Sequence, residues 1–125
     1  MDKVTSDLMI CYYRLSSEDG DVVRGNAAES FSISAQRLCV QNFLASRPDL
    51  EGTVEEIVDD GYTGTNMNRP GMQRLLSLVK SGSVKTVIVR DLSRFSRNFL
   101  EGGHYLEFVF PAYGVRFISI NDHFD

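Results

Sequence analysis

The sequence is poor in residues that bind metals or form disulfides, since its 125 residues include only two cysteines and two histidines. These four residues do not form a zinc-binding pattern. Cys11 and Cys39 both lie in apolar patterns, so we expect reduced, buried thiols in a cytosolic protein, without a disulfide. No apolar run approaches the roughly 20 residues that a membrane span requires. The polar first residues, MDKVTSD, lack the apolar core of a signal peptide, so we expect no membrane partner.

Charge is distributed unevenly along the chain, whose length suits one domain with a single core. The formal net charge of −4 by itself argues against a nucleic-acid partner. Residues 69–97, however, contain seven arginines or lysines and a single acidic residue, Asp91. Such local asymmetry predicts a surface that faces an anion, even on an acidic protein.

Short apolar stretches alternate with amphipathic stretches along the sequence. Stretches rich in Val, Ile and aromatic residues predict four strands, over residues 8–15, 53–60, 84–92 and 115–120. The other stretches predict three helices: one that Ser32 or Ser34 caps and Pro48 ends, one from Pro70 to Gly82, and one over residues 98–112. Residues 17–31 and 61–71 are predicted to be loops. This alternation predicts an α/β fold with a largely parallel sheet.

Polar side chains follow the carboxyl ends of three predicted strands, where ligands bind in such sheets. The first strand ends in CYYRLSSED, in which Arg14 and Ser16 are two residues apart and therefore point to the same face. The second ends in Asp59 and Asp60, and the third continues into RDLSRFSR. We expect one rim to bring together a serine, a threonine, an acid and four arginines: Arg14, Ser16, Asp60, Thr63, Arg69, Arg94 and Arg97.

The composition of this rim predicts chemistry on a phosphate. Arg94 and Arg97 are three residues apart, so on a helical turn they share a face. Guanidinium groups about 6 Å apart repel by roughly 2–3 kcal/mol per pair at an effective dielectric near 20, and phosphate is the anion that matches them best. A serine among arginines can attack a phosphodiester if an arginine, or a carboxylate such as Asp60, helps to remove its proton. The structural alternative is that Arg14 pairs with Asp59 or Asp60.

Four motifs, in this order, carry a resemblance to a known family: YYRLS, SISAQR, DDGYTGTNMNRPGMQRLL and VRDLSRFSRN. Together they resemble the catalytic domain of the serine recombinases, the resolvase/invertase family, and most of all its large transposon-encoded members. The resemblance implies a three-layer α/β fold, with a mostly parallel sheet of four to five strands and helices on both faces. It also implies that residues 1–125 form a single catalytic domain, a fragment of a longer recombinase without its C-terminal DNA-binding domains.

The resemblance implies a role for each residue of the rim. Ser16, rather than the adjacent Ser17, would be the nucleophile that joins the 5′ phosphate of cut DNA. Asp60 matches the acid that orients arginines, and Gln36 matches a glutamine near the site. Thr63 and Ser93 stand where small resolvases have a serine and an acid, and both would contact the DNA phosphate. The arginines around the scissile phosphate would be Arg14, Arg69, Arg94 and Arg97.

The partners that the resemblance implies are DNA and further copies of the chain, as a homodimer that forms a tetramer when active. No metal and no small-molecule cofactor is expected, because arginines supply the positive charge. The protein would excise or integrate a mobile element in the bacterial cytoplasm, associated with the nucleoid when active. The aromatic stripe over residues 99–110 is interpreted as core or subunit contact.

Two alternative functions compete with this interpretation. The first is a metal-dependent nuclease or phosphatase that uses Asp59, Asp60 and Asp91. The second is a non-catalytic, phosphate-binding module with a flavodoxin-like fold. Neither the G-x-G-x-x-G nor the G-x-x-x-x-G-K-[ST] phosphate loop occurs in the sequence, which disfavours the second alternative.

Overall fold

The computed structural model describes residues 7–15, 32–61 and 65–125. Four strands in these ranges form one parallel sheet in the order β2-β1-β3-β4, as the alternation of elements predicts. The strands are β1 (Leu8–Leu15), β2 (Thr53–Asp60), β3 (Val84–Val89) and β4 (Arg116–Ser119). The described residues include Arg14 and Asp60. They do not include Ser16, Thr63 or any part of the predicted loop over residues 17–31.

The helices begin and end close to the predicted positions. They are α1 (Ile33–Ala45), α2 (Pro70–Lys80), α3 (Leu92–Phe95), α4 (Phe99–His104), a π-helical turn (Tyr105–Val109) and α5 (Phe110–Ala112). Ser32 caps α1 by accepting a hydrogen bond from the N–H of Ala35 at 3.1 Å. Gly82 follows α2 with φ +83°, a left-handed conformation that suits glycine at a helix end.

Helices cover both faces of the sheet, so the expected three-layer α/β fold is confirmed. Strand β1 lies between β2 and β3, and its residues 9–14 are all buried. Its side chains alternate between two cores. Ile10 and Tyr12 pack on the side of α2, whereas Cys11 and Tyr13 pack on the side of α1.

Two details of the sequence predictions are wrong, namely where β3 ends and how deeply Cys39 is buried. Strand β3 ends at Val89 rather than at residue 92, because α3 begins at Leu92, whose N–H donates to the carboxylate of Asp122 at 2.7 Å. Cys39 is only half-buried, because it lies on α1 away from the core residue Val40; both cysteines are free thiols. Within the described ranges, no helix has the length and apolar character needed to cross a membrane.

Candidate active site

Three of the four predicted arginines converge at the carboxyl end of the sheet. Arg14, Arg69 and Arg94 are exposed by only 0%, 1% and 3%. Arg14 Nε and Arg69 Nη1 each donate a hydrogen bond to the same main-chain oxygen, that of Arg94, at 3.2 Å. Two guanidinium groups from distant segments therefore lie within about two hydrogen-bond lengths of each other.

Gln36 fixes the main chain of Arg14, two residues before the predicted nucleophile. The N–H of Arg14 donates to Gln36 Oε1 at 3.1 Å, and Gln36 Nε2 donates back to the oxygen of Arg14 at 2.9 Å. Pairing between β1 and β3 ends at Cys11, so the side chain of Gln36 takes the place of a neighbouring strand. Because Gln36 is fully buried, these bonds hold the end of β1 away from water.

Arg69 uses all five of its N–H groups within the protein. It lies before the first residue of α2 with an extended main chain, which turns its side chain towards β1 and α3. The acceptors are the main-chain oxygens of Asn66, Arg94 and Phe95, the sulfur of Met67 and the hydroxyl of Tyr12. A phosphate can therefore bind Arg69 only if it replaces one of these acceptors.

Arg94 and Ser93 belong to the short helix α3, which faces the end of β1. Arg94 Nη1 donates to the oxygen of Arg14 at 2.8 Å, and its Nε contacts the carboxylate of Asp91 at 3.4 Å. The main-chain oxygen of Ser93 accepts from Arg14 Nη2 at 2.6 Å, while its hydroxyl donates to Asp91. The described hydrogen bonds of the Arg14 guanidinium group are thus with main-chain oxygens, and not with Asp59 or Asp60 as the structural alternative proposed.

Arg97 and Asp60 lie outside this buried cluster, and both are exposed. The expectation that Arg94 and Arg97 share a helical face is wrong. Ser96 between them is extended, with φ −160° and ψ 137°, because its hydroxyl bonds to Asn98 at the start of α4. Arg97 instead lines an open pocket of about 250 Å³ between α3 and α4.

Tyr12 and Asp59 also belong to the site. Asp59 was expected at this rim as a partner of Arg14 or as a metal ligand, whereas no role was predicted for Tyr12. Asp59 is 2% exposed and accepts the hydroxyl proton of Tyr12 at 2.6 Å. The same hydroxyl accepts from Arg69 Nη1 at 2.8 Å. Burial raises the pKa of Tyr12 far above its usual range, the charge of Arg69 opposes this, and the hydrogen bond to Asp59 raises it further. Tyr12 therefore stays protonated and bridges Asp59 and Arg69.

Two of the three aspartates of the metal-dependent alternative are engaged in other contacts, whereas Asp60 is exposed. Asp59 accepts from Tyr12 and from two main-chain N–H groups, and Asp91 accepts from Ser93 and Arg94. In the part of the chain that the structure describes, no three or more Asp, Glu, His or Cys side chains are grouped so that they could hold a metal ion. The described residues therefore offer no built metal centre.

The comparisons with known proteins agree with the geometry. The chain matches the family model described as Resolvase, N terminal domain, over residues 9–125. No curated protein sequence is similar enough to match.

Solved structures with the same fold include the N-terminal catalytic domain of TP901-1 integrase. That domain has a TM-score of 0.71 and 26% identity, over 93% of this chain and 78% of the other. The C-terminal catalytic domain of ISC1926 TnpA, an IS607-like serine recombinase, has a TM-score of 0.68 and 26% identity. The match covers 90% of this chain and 67% of the other. The first ORF of transposon ISC1904 from Sulfolobus solfataricus P2 has a TM-score of 0.65 and 26% identity. This match covers 90% of this chain and 66% of the other.

Proposed function

Since this chain belongs to the resolvase family, as the catalytic domain of a site-specific serine recombinase, we propose that Ser16 is its nucleophile. Ser16 Oγ attacks a phosphorus atom of the DNA backbone, the O–P bond forms, and the bond to the 3′ oxygen breaks. Ser16 Oγ loses its proton in the attack, the 3′ oxygen takes up a proton and leaves as a hydroxyl, and the 5′ phosphate remains on Ser16. Attack by a 3′ hydroxyl of the exchanged strand reverses these steps and restores the phosphodiester, so no external energy source is needed.

One observation carries this proposal: three buried guanidinium groups meet at the end of β1, two residues before Ser16 along the chain. The charge that develops on the non-bridging oxygens of a phosphoryl transition state is stabilised by cations fixed in place beforehand. Burial strengthens that stabilisation, because less water screens the charges. Asp91 contacts Arg94, and Asp59 reaches Arg69 through Tyr12, so these two carboxylates offset only part of the charge of the three guanidinium groups.

We propose that Arg97 meets the phosphate from the solvent side, because it is exposed at the mouth of the pocket beside α4. Arg14, Arg69 and Arg94 then exchange main-chain oxygens for phosphate oxygens, which are stronger acceptors because they are charged. Asp60 is proposed to orient arginines other than Arg69 in the bound state. The hydroxyls of Ser93 and Thr63 are proposed to contact the phosphate.

We propose that the active assembly is a tetramer formed from two homodimers on DNA, and that it excises or integrates a mobile element in the bacterial cytoplasm. Phe99, Leu100 and Phe108 support subunit contacts, because their exposed fractions are 88%, 82% and 64%. Large apolar side chains exposed to this extent usually mark a surface that another chain covers.

The test is to trap the covalent intermediate. The complete protein is incubated in EDTA with supercoiled plasmid that carries the DNA flanking its coding sequence, and the reaction is stopped with SDS. Nuclease and trypsin digestion, followed by mass spectrometry, then reads the peptide of residues 15–24, LSSEDGDVVR, which begins directly after Arg14. We expect a nucleotide on Ser16.

Two variants serve as matched controls in this experiment. Ser16→Ala removes the proposed nucleophile, so it should form no adduct, whereas Ser17→Ala should still form one. An adduct on Ser17 would overturn the proposal. So would cleavage that leaves no adduct in a parallel reaction with Mg²⁺ and is absent in EDTA. The second of these results would support the metal-dependent nuclease instead.

A further inference from the structure

We infer that Asp59, rather than Asp60, is the positioning residue that holds Arg69 for the reaction, an inference that rests on the proposed function. Asp59 reaches Arg69 in two ways, through the helix that follows Arg69 and through the hydroxyl of Tyr12. Asp60 cannot replace it, because neighbouring side chains on a strand point to opposite faces and Asp60 is exposed.

The first route is a helix cap that a different strand supplies. Arg69 occupies the capping position of α2 but provides no side-chain cap, and the next residue is Pro70. The carboxylate of Asp59 instead accepts from the N–H of Gly71 at 2.7 Å and from the N–H of Met72 at 2.9 Å. These are N–H groups that a helix start leaves without helical partners, and a negative charge is favoured beside them. The side chain of Arg69 is therefore free to turn into the site.

The second route fixes the direction of the Tyr12 hydroxyl. Its proton goes to Asp59 Oδ2 at 2.6 Å, so its lone pairs are available to Arg69 Nη1 at 2.8 Å. Without an acceptor at position 59, the hydroxyl proton would have no fixed direction and could face Arg69. The carboxylate thus makes Tyr12 an acceptor for the guanidinium.

The fit around Asp59 leaves little room for movement. A Cβ atom added to Gly71 would lie 2.8 Å from both carboxylate oxygens and 2.8 Å from Ile57. Glycine at position 71 therefore allows the carboxylate to contact the start of α2 directly. Any larger residue would displace the carboxylate, and with it both routes to Arg69.

The main test is Asp59→Asn in the complete protein, compared with Val79→Ala. Asparagine keeps the size of the side chain but turns one acceptor into a donor, which then faces N–H or O–H groups. Val79 is fully buried near the other end of α2, so its truncation destabilises the same helix without contacting Arg69. At a temperature where both variants are folded, we expect Asp59→Asn to slow adduct formation about 10- to 100-fold, as misplacement of a reacting group does. DNA-binding affinity and the rate of Val79→Ala should remain close to wild type.

A second comparison covers the case in which Asp59→Asn does not fold. Tyr12→Phe keeps the cap on α2 but removes the bridge to Arg69. Its matched control is Tyr13→Phe, which loses a similar hydrogen bond, from Tyr13 to Glu56 at 2.9 Å, on the other face of β1. We expect the first variant to slow adduct formation and the second to leave it unchanged.

An independent measurement follows hydrogen exchange at Arg69 Nε, which donates to the oxygen of Asn66 at 3.0 Å. NMR of protein with labelled arginine should show slow exchange at this N–H in the wild type and faster exchange in Asp59→Asn. Equal cleavage rates in Asp59→Asn and Val79→Ala, together with unchanged exchange at Arg69, would overturn the inference. If the wild type forms no adduct on Ser16, the proposed function fails, while the exchange measurement still tests whether Asp59 holds Arg69.

Discussion

Replacing Gln36 by leucine should destabilise the domain by about 2–4 kcal/mol. Leucine is close to glutamine in size, so the change leaves little cavity but removes both hydrogen bonds to the main chain of Arg14. The buried N–H of Arg14 then loses its acceptor, which costs about 1–3 kcal/mol. The oxygen of Arg14 keeps its bond from Arg94 Nη1, so the second loss is a single hydrogen bond of about 1 kcal/mol.

Equilibrium unfolding in urea measures this difference, with Gln41→Leu as the control. Gln41 is exposed on the same helix, and glutamine and leucine have similar helix propensities, so the control should change the unfolding free energy by less than about 0.5 kcal/mol. If the two variants unfold at the same urea concentration with the same slope, Gln36 does not hold the end of β1. The view that it prepares the strand for Ser16 would then be wrong.

Three further predictions concern side chains on the α1 side of the sheet. Burial raises the pKa of Cys11 to about 11 from an ordinary value of 9.0, so ionisation of this thiol should lower the unfolding free energy as pH rises from about 9 to about 11. Cys11→Ala should remove that part of the pH dependence, and an unchanged pH profile would contradict the assignment. A thiol reagent at pH 8 should label half-buried Cys39 before buried Cys11, and mass spectrometry can measure the order of labelling. Equal labelling rates for the two cysteines would show that β1 opens readily. Arg37→Ala should lower the free energy of unfolding in urea by less than about 1 kcal/mol, because both side chains of its ion pair with Glu56, at 3.0 Å, are more than a third exposed. A larger decrease would mean that Arg37 packs more tightly than the structure indicates.

The fold could be predicted from the sequence because its signals are local. Strands β1 and β2 begin and end where their apolar patterns do, and Pro70 and Gly82 mark α2. The end of β3 was predicted three residues too late. Its position depends on the side chain of Asp122, which comes from 30 residues further along the chain.

The site was harder to predict, because its contacts depend on which face a side chain takes. In the sequence TVEEIVDD, Ile57 and Val58 are both apolar, so the pattern does not decide whether Asp59 or Asp60 faces the core. The structure buries Ile57 and leaves Val58 41% exposed, which places Asp59 inside. Similarly, the spacing of Arg94 and Arg97 predicts a shared face only if the helix continues, and Ser96 ends it.

The repulsion expected among the arginines is offset by an arrangement that spacing alone does not reveal. Helix α3 has only four residues, so most of its main-chain oxygens have no helical partner. The oxygens of Ser93, Arg94 and Phe95 are the ones that accept from Arg14 and Arg69. The carboxyl end of a helix favours nearby cations, so the cluster can exist before any anion arrives. A phosphate must then compete with these oxygens, and the site is therefore poised to change its hydrogen bonds when DNA binds.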